Sequence, residues 1–329
     1  MAKRMTPVLL AGALLLLLAA AGPAQAAFPG TNGRIAYESA GRSDAEIRST
    51  NPDGTGGINL TRNSGIDDRH AAWSSDGEKV AYVSGGDEGF GSDSLSDLYV
   101  MNADGSGKTR LTESAGFSES EPTWSPDGTR IAFTRVEYHR DDMGDYFYYY
   151  ETYDVYAINA DGTGEVRLTD DAKGGYGPAW SPDGTRLAFA SSRGTTPRTT
   201  GPEIYVMDPS PEGPSNEPVR LTATRSANTS PNWSPDGTKI VFESGRDRPR
   251  SHDFTPEIYT MKADGTEPTR LTRKGWYRDP VWSPDGKRLA FARDGIYTMK
   301  AAPLDDRNRA RLVVPSEYGY ENPDWQAIP

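Results

Sequence analysis

One five-residue word recurs along this chain. Trp-Ser-Pro-Asp-Gly occurs at Trp124–Gly128, Trp180–Gly184, Trp233–Gly237 and Trp282–Gly286, with Trp73-Ser74-Ser75-Asp76-Gly77 as a variant. A short apolar run follows each copy: Val80-Ala81-Tyr82, Ile131-Ala132-Phe133, Leu187-Ala188-Phe189, Ile240-Val241-Phe242 and Leu289-Ala290-Phe291. Ile35-Ala36-Tyr37 supplies a sixth run. A second word comes next, as in Leu98-Tyr99-Val100-Met101 and Ile204-Tyr205-Val206-Met207, and then an Ala-Asp-Gly at Ala103, Ala160 and Ala263. A third word, Arg-Leu-Thr, starts at Arg110, Arg167, Arg220 and Arg270. Self-similarity of this kind marks units that bury their apolar faces only by stacking on one another.

Each unit reads as four strands. Ser-Pro-Asp-Gly is a turn for physical reasons: Pro presets φ, Asp bonds its own backbone and Gly takes the left-handed position. Ala-Asp-Gly closes a second turn, and the strands between are rich in Ile, Val, Tyr and Phe. Trp73, Trp124, Trp180, Trp233, Trp282 and Trp325 lie 43 to 56 residues apart, so there are six units. Four-stranded units at that period predict an all-β fold, a six-bladed β-propeller of antiparallel blades. The tryptophans are expected to pack between blades. The unit opening at Ile35 lacks its first strand, and Asn322–Gln326 has the pattern of that missing strand. The C-terminal strand is therefore expected to complete the N-terminal blade and abolish a free edge.

Composition narrows the function. The 329 residues carry 36 Lys+Arg against 47 Asp+Glu, a net charge of −11, which disfavours nucleic acid as a partner. With Cys 0, disulfides, thiolate metal sites and Cys nucleophiles are excluded. Gly 35 and Pro 25 fit a turn-rich folded chain. Lys3 and Arg4, an apolar run over Val8–Ala21, and Ala24-Gln25-Ala26 form the pattern of a secretory signal peptide over residues 1–26. The run is shorter than the roughly 20 residues that span a bilayer. Residues 27–329 are then one propeller domain, exported to the periplasm, cell envelope or exterior, with no transmembrane segment and expected to be a monomer.

The three words together resemble the TolB-like six-bladed propellers, built from WD-like "PD" repeats. The resemblance covers Gly33 to Gln326 and implies the six-bladed fold, without specifying a function. Only a few residues separate Ala27 from the first strand, so the N-terminal α/β domain that TolB adds is not expected. A hydrolase domain after the propeller, as in prolyl-oligopeptidase-type enzymes, is not expected either, and no Gly-x-Ser-x-Gly elbow occurs.

Candidate sites fall on the face bearing the variable loops, since both repeated turns lie on the other. The longest such loop, Val136–Thr152, holds Tyr138, His139, Tyr146, Tyr148 and Tyr149. It reads either as an aromatic hairpin gripping a partner or as a hairpin packed on its own cross-strand neighbours. A basic spot, Arg246 to His252, lies in the loop Gly245–Pro256. Three residues before each tryptophan stand His70, Glu121, Gly177, Ser230, Asp279 and Asn322, with Tyr176 beside Gly177. Four of these six could hold a small ligand or a divalent cation at the channel mouth. The recurrent Asp residues of the turns are structural. The reading is a non-catalytic module for a protein or cell-envelope glycan partner, with no cofactor. The alternative is a metal-assisted hydrolase or lyase at the channel mouth, since oligogalacturonate lyases have a propeller with some similar repeats.

Overall fold

In every Ser-x-Asp-Gly turn the Ser hydroxyl donates to the Asp carboxylate, at 2.5 to 2.6 Å in Ser74–Asp76, Ser125–Asp127, Ser181–Asp183, Ser234–Asp236 and Ser283–Asp285. The same Asp oxygen accepts the N–H two residues on, and the Ser oxygen accepts the N–H that opens the next strand. Gly77 and its counterparts at 128, 184, 237 and 286 have φ between 69° and 71° or just below, at 68°. A turn that satisfies its own polar groups is specified locally, so each copy of the word closes the first hairpin of its blade regardless of its neighbours.

The computed structural model describes residues 27–40, 44–63, 65–85, 95–143, 147–169, 174–195, 201–210, 213, 217–247, 255–273, 275–303, 309–315 and 320–329. The signal segment 1–26, Tyr146, His252 and the side chains of Tyr148 and Tyr149 lie outside the described residues. Six four-stranded antiparallel sheets form the blades of a β-propeller, and no helix occurs among the described residues. Hence none is long and apolar enough to cross a membrane. Blade one orders Tyr320–Ile328, Thr31–Ala40, Ala45–Thr50 and Ile58–Asn59 from inside outward. The other inner strands are Asp67–Trp73, Phe117–Trp124, Tyr176–Trp180, Asn228–Trp233 and Arg278–Trp282, in blades two to six. Each inner strand touches the next in a closed ring. The C-terminal strand thus completes the N-terminal blade, with Trp325 opposite Ile35.

Adjacent blades meet through apolar side chains. The six repeat tryptophans are all buried. Trp124 Nε1 donates to the Ala72 carbonyl at 3.1 Å and Trp233 Nε1 to Ala179 at 3.2 Å, each in the preceding blade. Within blades two to six, the aromatic of the second strand packs on the tyrosine of the third: Tyr82–Tyr99, Phe133–Tyr156, Phe189–Tyr205, Phe242–Tyr259 and Phe291–Tyr297, with centroids 5.6 to 6.0 Å apart. Such pairs are worth about 0.5–1.5 kcal/mol beyond the area they bury. Blade one breaks the rule, because Tyr37 faces Arg48.

Candidate functional site

The inner strands share an irregularity. Three residues before each tryptophan the register slips, and the residue there has positive φ: His70, Glu121, Gly177, Ser230, Asp279 and Asn322, at 51° to 60°. For residues other than Gly this conformation costs about 1–2 kcal/mol. It persists only where the surroundings fix it. Here the fixing groups are acids. The N–H of Gly177 donates to Glu121 at 2.8 Å, that of Asp279 to Glu243 at 2.8 Å, and that of Asn322 to Asp279 at 3.2 Å. The His70 N–H bonds Glu38. In all four the acceptor belongs to the preceding blade, so the bulge turns a backbone donor sideways to tie blade to blade. Asn322 Nδ2 also donates to Glu38 at 3.0 Å.

The ring is therefore a belt of buried carboxylates. Burial pushes Glu38 up to about 7, against the pull of Arg69 at 2.8 Å. Asp279 rises well above the usual carboxylate range, through burial first and then the charges of Glu243 and Glu321. Burial raises Glu243 too. His70 is pushed down to about 3 by burial, with Arg69 adding to it, and stays neutral. Tyr176 is held protonated by burial and by the charges of Glu121 and Glu243. Three buried polar atoms on successive blades have no partner: Asp279 Oδ1, Asn322 Oδ1 and His70 Nδ1. The ring thus holds buried hydrogen-bonding capacity that no neighbour uses. Among the described residues no three His, Asp or Glu side chains are grouped as a metal site.

The stretch Val136–Thr152, read from sequence as a loop, is mostly ladder. Strands Arg130–Asp142 and Phe147–Asn159 pair out to Asp142 opposite Phe147. Alternating aromatic and polar residues suit such pairing. His139 lies opposite Tyr150 and stacks on it at 4.7 Å, while its Nε2 contacts Thr152 Oγ1 at 2.8 Å. Tyr138 lies opposite Glu151. Arg140 covers the Phe147 ring at 3.7 Å. Met143 and Phe147 near the tip are 57% and 46% exposed, so the hairpin presents apolar surface to solvent. At its base Tyr153 packs on Tyr176 at 5.8 Å and feels the charges of Glu121 and Tyr138. That contact joins hairpin and ring, bringing Tyr138, Glu121 and Tyr176 into one region. Asp279 and Asn322 belong to the far arc of the ring.

Sequence reasoning missed Glu38, Glu243 and Tyr153. A signal existed for the first two. The residue after each second-strand aromatic runs Glu38, Val83, Thr134, Ala190, Glu243, Ala292, polar in every other blade. The basic spot at 246–252 is described only to Asp247. Arg246 there covers Tyr259 at 4.6 Å and bonds Asn228 at 3.1 Å.

Residues 196–326 match the family described as TolB beta propeller domain. This agrees with the six blades and with the words that define them. The chain is a six-bladed β-propeller that resembles the TolB propellers. The crystal structure of TolB from Acinetobacter baumannii superposes with a TM-score of 0.68 and 23% identity, covering 90% of this chain and 67% of that one. An uncharacterized protein of Agrobacterium fabrum is 31% identical over 176 residues, covering 52% of this chain and 53% of its own. The uncharacterized peptidase YuxL of Bacillus subtilis is 30% identical over 222 residues, covering 57% of this chain and 31% of its own. The match thus spans about half or less of these curated relatives. An oligogalacturonate lyase in complex with manganese shares the fold at a TM-score of 0.56 and 12% identity, covering 88% of this chain and 77% of its own. TolB-like propellers therefore stand beside peptidase and lyase propellers in fold.

Proposed function

We propose that this propeller is an exported, monomeric binding module that engages a protein or cell-envelope glycan through its variable-loop face and performs no chemistry. One observation carries the reading: a hairpin that extends a middle pair of strands past its blade, exposes Met143 and Phe147, and is anchored at Tyr153–Tyr176. Aromatic and apolar anchors on a rigid ladder suit recognition, because little side-chain freedom is lost on binding. The charged, apolar-cored pattern over residues 1–26 supports export. The test replaces Asp141–Tyr148 with an Asn-Gly turn, which joins the paired residues Arg140 and Tyr149 by a two-residue hairpin connection. The shortened protein should melt like the wild type and lose retention on immobilised cell-envelope fractions. Equal retention by both proteins overturns the reading.

A second reading places metal-assisted hydrolysis or elimination at the channel mouth. It is favoured by the unpartnered Asp279 Oδ1, Asn322 Oδ1 and His70 Nδ1. A stoichiometric transition metal in the purified protein, lost in His70→Ala, would put it first.

A further inference from the structure

The repeats follow a charge rule. In blades two to five, the acid two residues before the third-strand tyrosine pairs with the arginine of Arg-Leu-Thr: Asp97–Arg110 at 2.6 Å, Asp154–Arg167 at 2.6 Å, Glu203–Arg220 at 3.0 Å and Glu257–Arg270 at 2.9 Å. The threonine of the word donates to the same acid in three of them, Thr169–Asp154, Thr222–Glu203 and Thr272–Glu257. Blade three has a second acid at its inner strand, Glu119, fully buried and held by Arg135 at 2.9 Å.

The junction of blades one and two keeps the acids and drops both arginines. Glu46 holds the same position in the third strand, two residues before Arg48, and accepts from Thr61. The arginine position opposite residue 48 is Asn59. Asp68 takes the place of Glu119, five residues before its tryptophan, and Ser84 the place of Arg135. Asp68 is 0% exposed, and neither of its oxygens has a hydrogen bond of ordinary geometry. Asn63 Oδ1 is likewise buried and unpartnered. The side chains of Ser84, Asn63 and Thr61 reach Asp68 as weak hydrogen-bond donors, while the charge of Glu46 opposes its own. Among the described residues, the basic side chains close by are engaged elsewhere. Arg48 donates to Ser39 at 3.2 Å, Arg62 to the Asn59 carbonyl at 2.8 Å and Lys108 to the Thr61 carbonyl. Arg69 pairs with Glu38 and Asp67.

A buried carboxylate without a counter-charge is expensive. The groups gathered here are two carboxylates, an amide oxygen and two hydroxyls, all hard oxygen donors of the kind that binds calcium rather than a transition metal. We propose that a divalent cation of the calcium class binds between Asp68 and Glu46, replacing the two missing guanidinium groups. The small number of charged ligands places the affinity near that of extracellular calcium modules, about 10⁻⁴–10⁻³ M.

The test compares melting temperatures in chelator and in calcium at several times that concentration, for the wild type, Asp68→Asn and Ser84→Arg. Calcium should raise the wild-type midpoint by a few degrees. Asp68→Asn should lose that increment. Ser84→Arg restores the charge rule, and should be insensitive to calcium yet as stable as the calcium-loaded wild type. An unresponsive wild type overturns the proposal. So does an increment that persists in both variants, since the ion then binds elsewhere. Terbium provides a check that needs no variant. Tyr82 borders Asp68 closely enough to feel its charge. Bound terbium should therefore luminesce on tyrosine excitation and be displaced by calcium. Absence of calcium-displaceable luminescence also overturns the site.

Discussion

The backbone N–H of Trp73 donates to the Asp324 carboxylate at 2.6 Å, across 251 residues of chain. Asp324 lies in the strand that completes blade one, and Trp73 ends the inner strand of blade two. Asp324→Ala leaves a buried donor without an acceptor, which costs about 1–3 kcal/mol. The denaturation midpoint should fall accordingly, while Asp324→Asn, which keeps an acceptor oxygen, should recover most of it. An Asp324→Ala protein as stable as the wild type contradicts this role.

Stability should fall as pH rises through neutrality. Burial pushes Glu38 from 4.5 to about 7 and Asp324 from 3.8 to about 7. Between those values the folded protein holds protons that the unfolded chain has released, so stability declines with pH across that window. His70, held neutral down to about 3, offsets part of this slope below its ordinary 6.5, and the turn acids also act oppositely. Hydrogen bonds from their threonines lower Asp161 and Asp264, so their contribution is present above the ordinary Asp value and lost below it. Maximal stability is expected in mildly acidic solution. Melting curves from pH 5 to 8 check this, and Glu38→Gln should show the flatter slope.

Two glycines of one turn type should respond differently to alanine. Gly77 and Gly128 have φ of 71° and 68°. A Cβ on Gly77 would meet the Ala327 carbonyl oxygen at 2.4 Å, whereas on Gly128 its nearest neighbour is Ser75 Oγ at 3.7 Å. Gly128→Ala should cost only the left-handed backbone term, about 1–2 kcal/mol. Gly77→Ala should cost distinctly more, because it also pushes the closing strand away. Equal losses in chemical denaturation would show that the clash relaxes freely.

Arg135 should be the most sensitive surface-accessible cation. It bonds Glu119 and Glu165 and lies 4.4 Å over Tyr156. Arg135→Ala leaves the buried Glu119 charge uncompensated, a loss of about 3–5 kcal/mol. Lys262–Glu267 is exposed on both sides, and Lys262→Ala should change the midpoint by less than about 1 kcal/mol. Denaturant titration of the two variants measures the contrast.

The architecture was legible because its signals are local. Ser-Pro-Asp-Gly closes its own hydrogen bonds within six residues, and strand alternation follows directly from each turn. Even the closure of blade one follows from counting strands. The bulges were not legible, because Glu121 and Ser230 have no preference for positive φ, and the tolerance of His70, Asp279 and Asn322 for it does not require it. That conformation is imposed by Glu38, Glu121 and Glu243, which accept from the adjacent blade. The Arg-Leu-Thr word was visible, but its acidic partner lies 13 residues back at Asp97 and 17 back at Glu203. Val136–Thr152 looked like a loop because no turn word marks its tip, although its alternating tyrosines already carried the pattern of a ladder.

The strand that completes blade one also sets an order of events. Thr31 donates to the Ile328 carbonyl across 297 residues, so blade one cannot form until the far end of the ring exists. Blades two to six are built from contiguous segments and can assemble as they leave the ribosome. The strands over Thr31–Thr50 must meanwhile wait with an open edge, and such an edge invites pairing with other chains. Loop closure over that span is slow, as contact order dictates. The interval before closure is when this protein is most exposed to aggregation, and when a chaperone holding its N-terminal hairpin would have the greatest effect on yield.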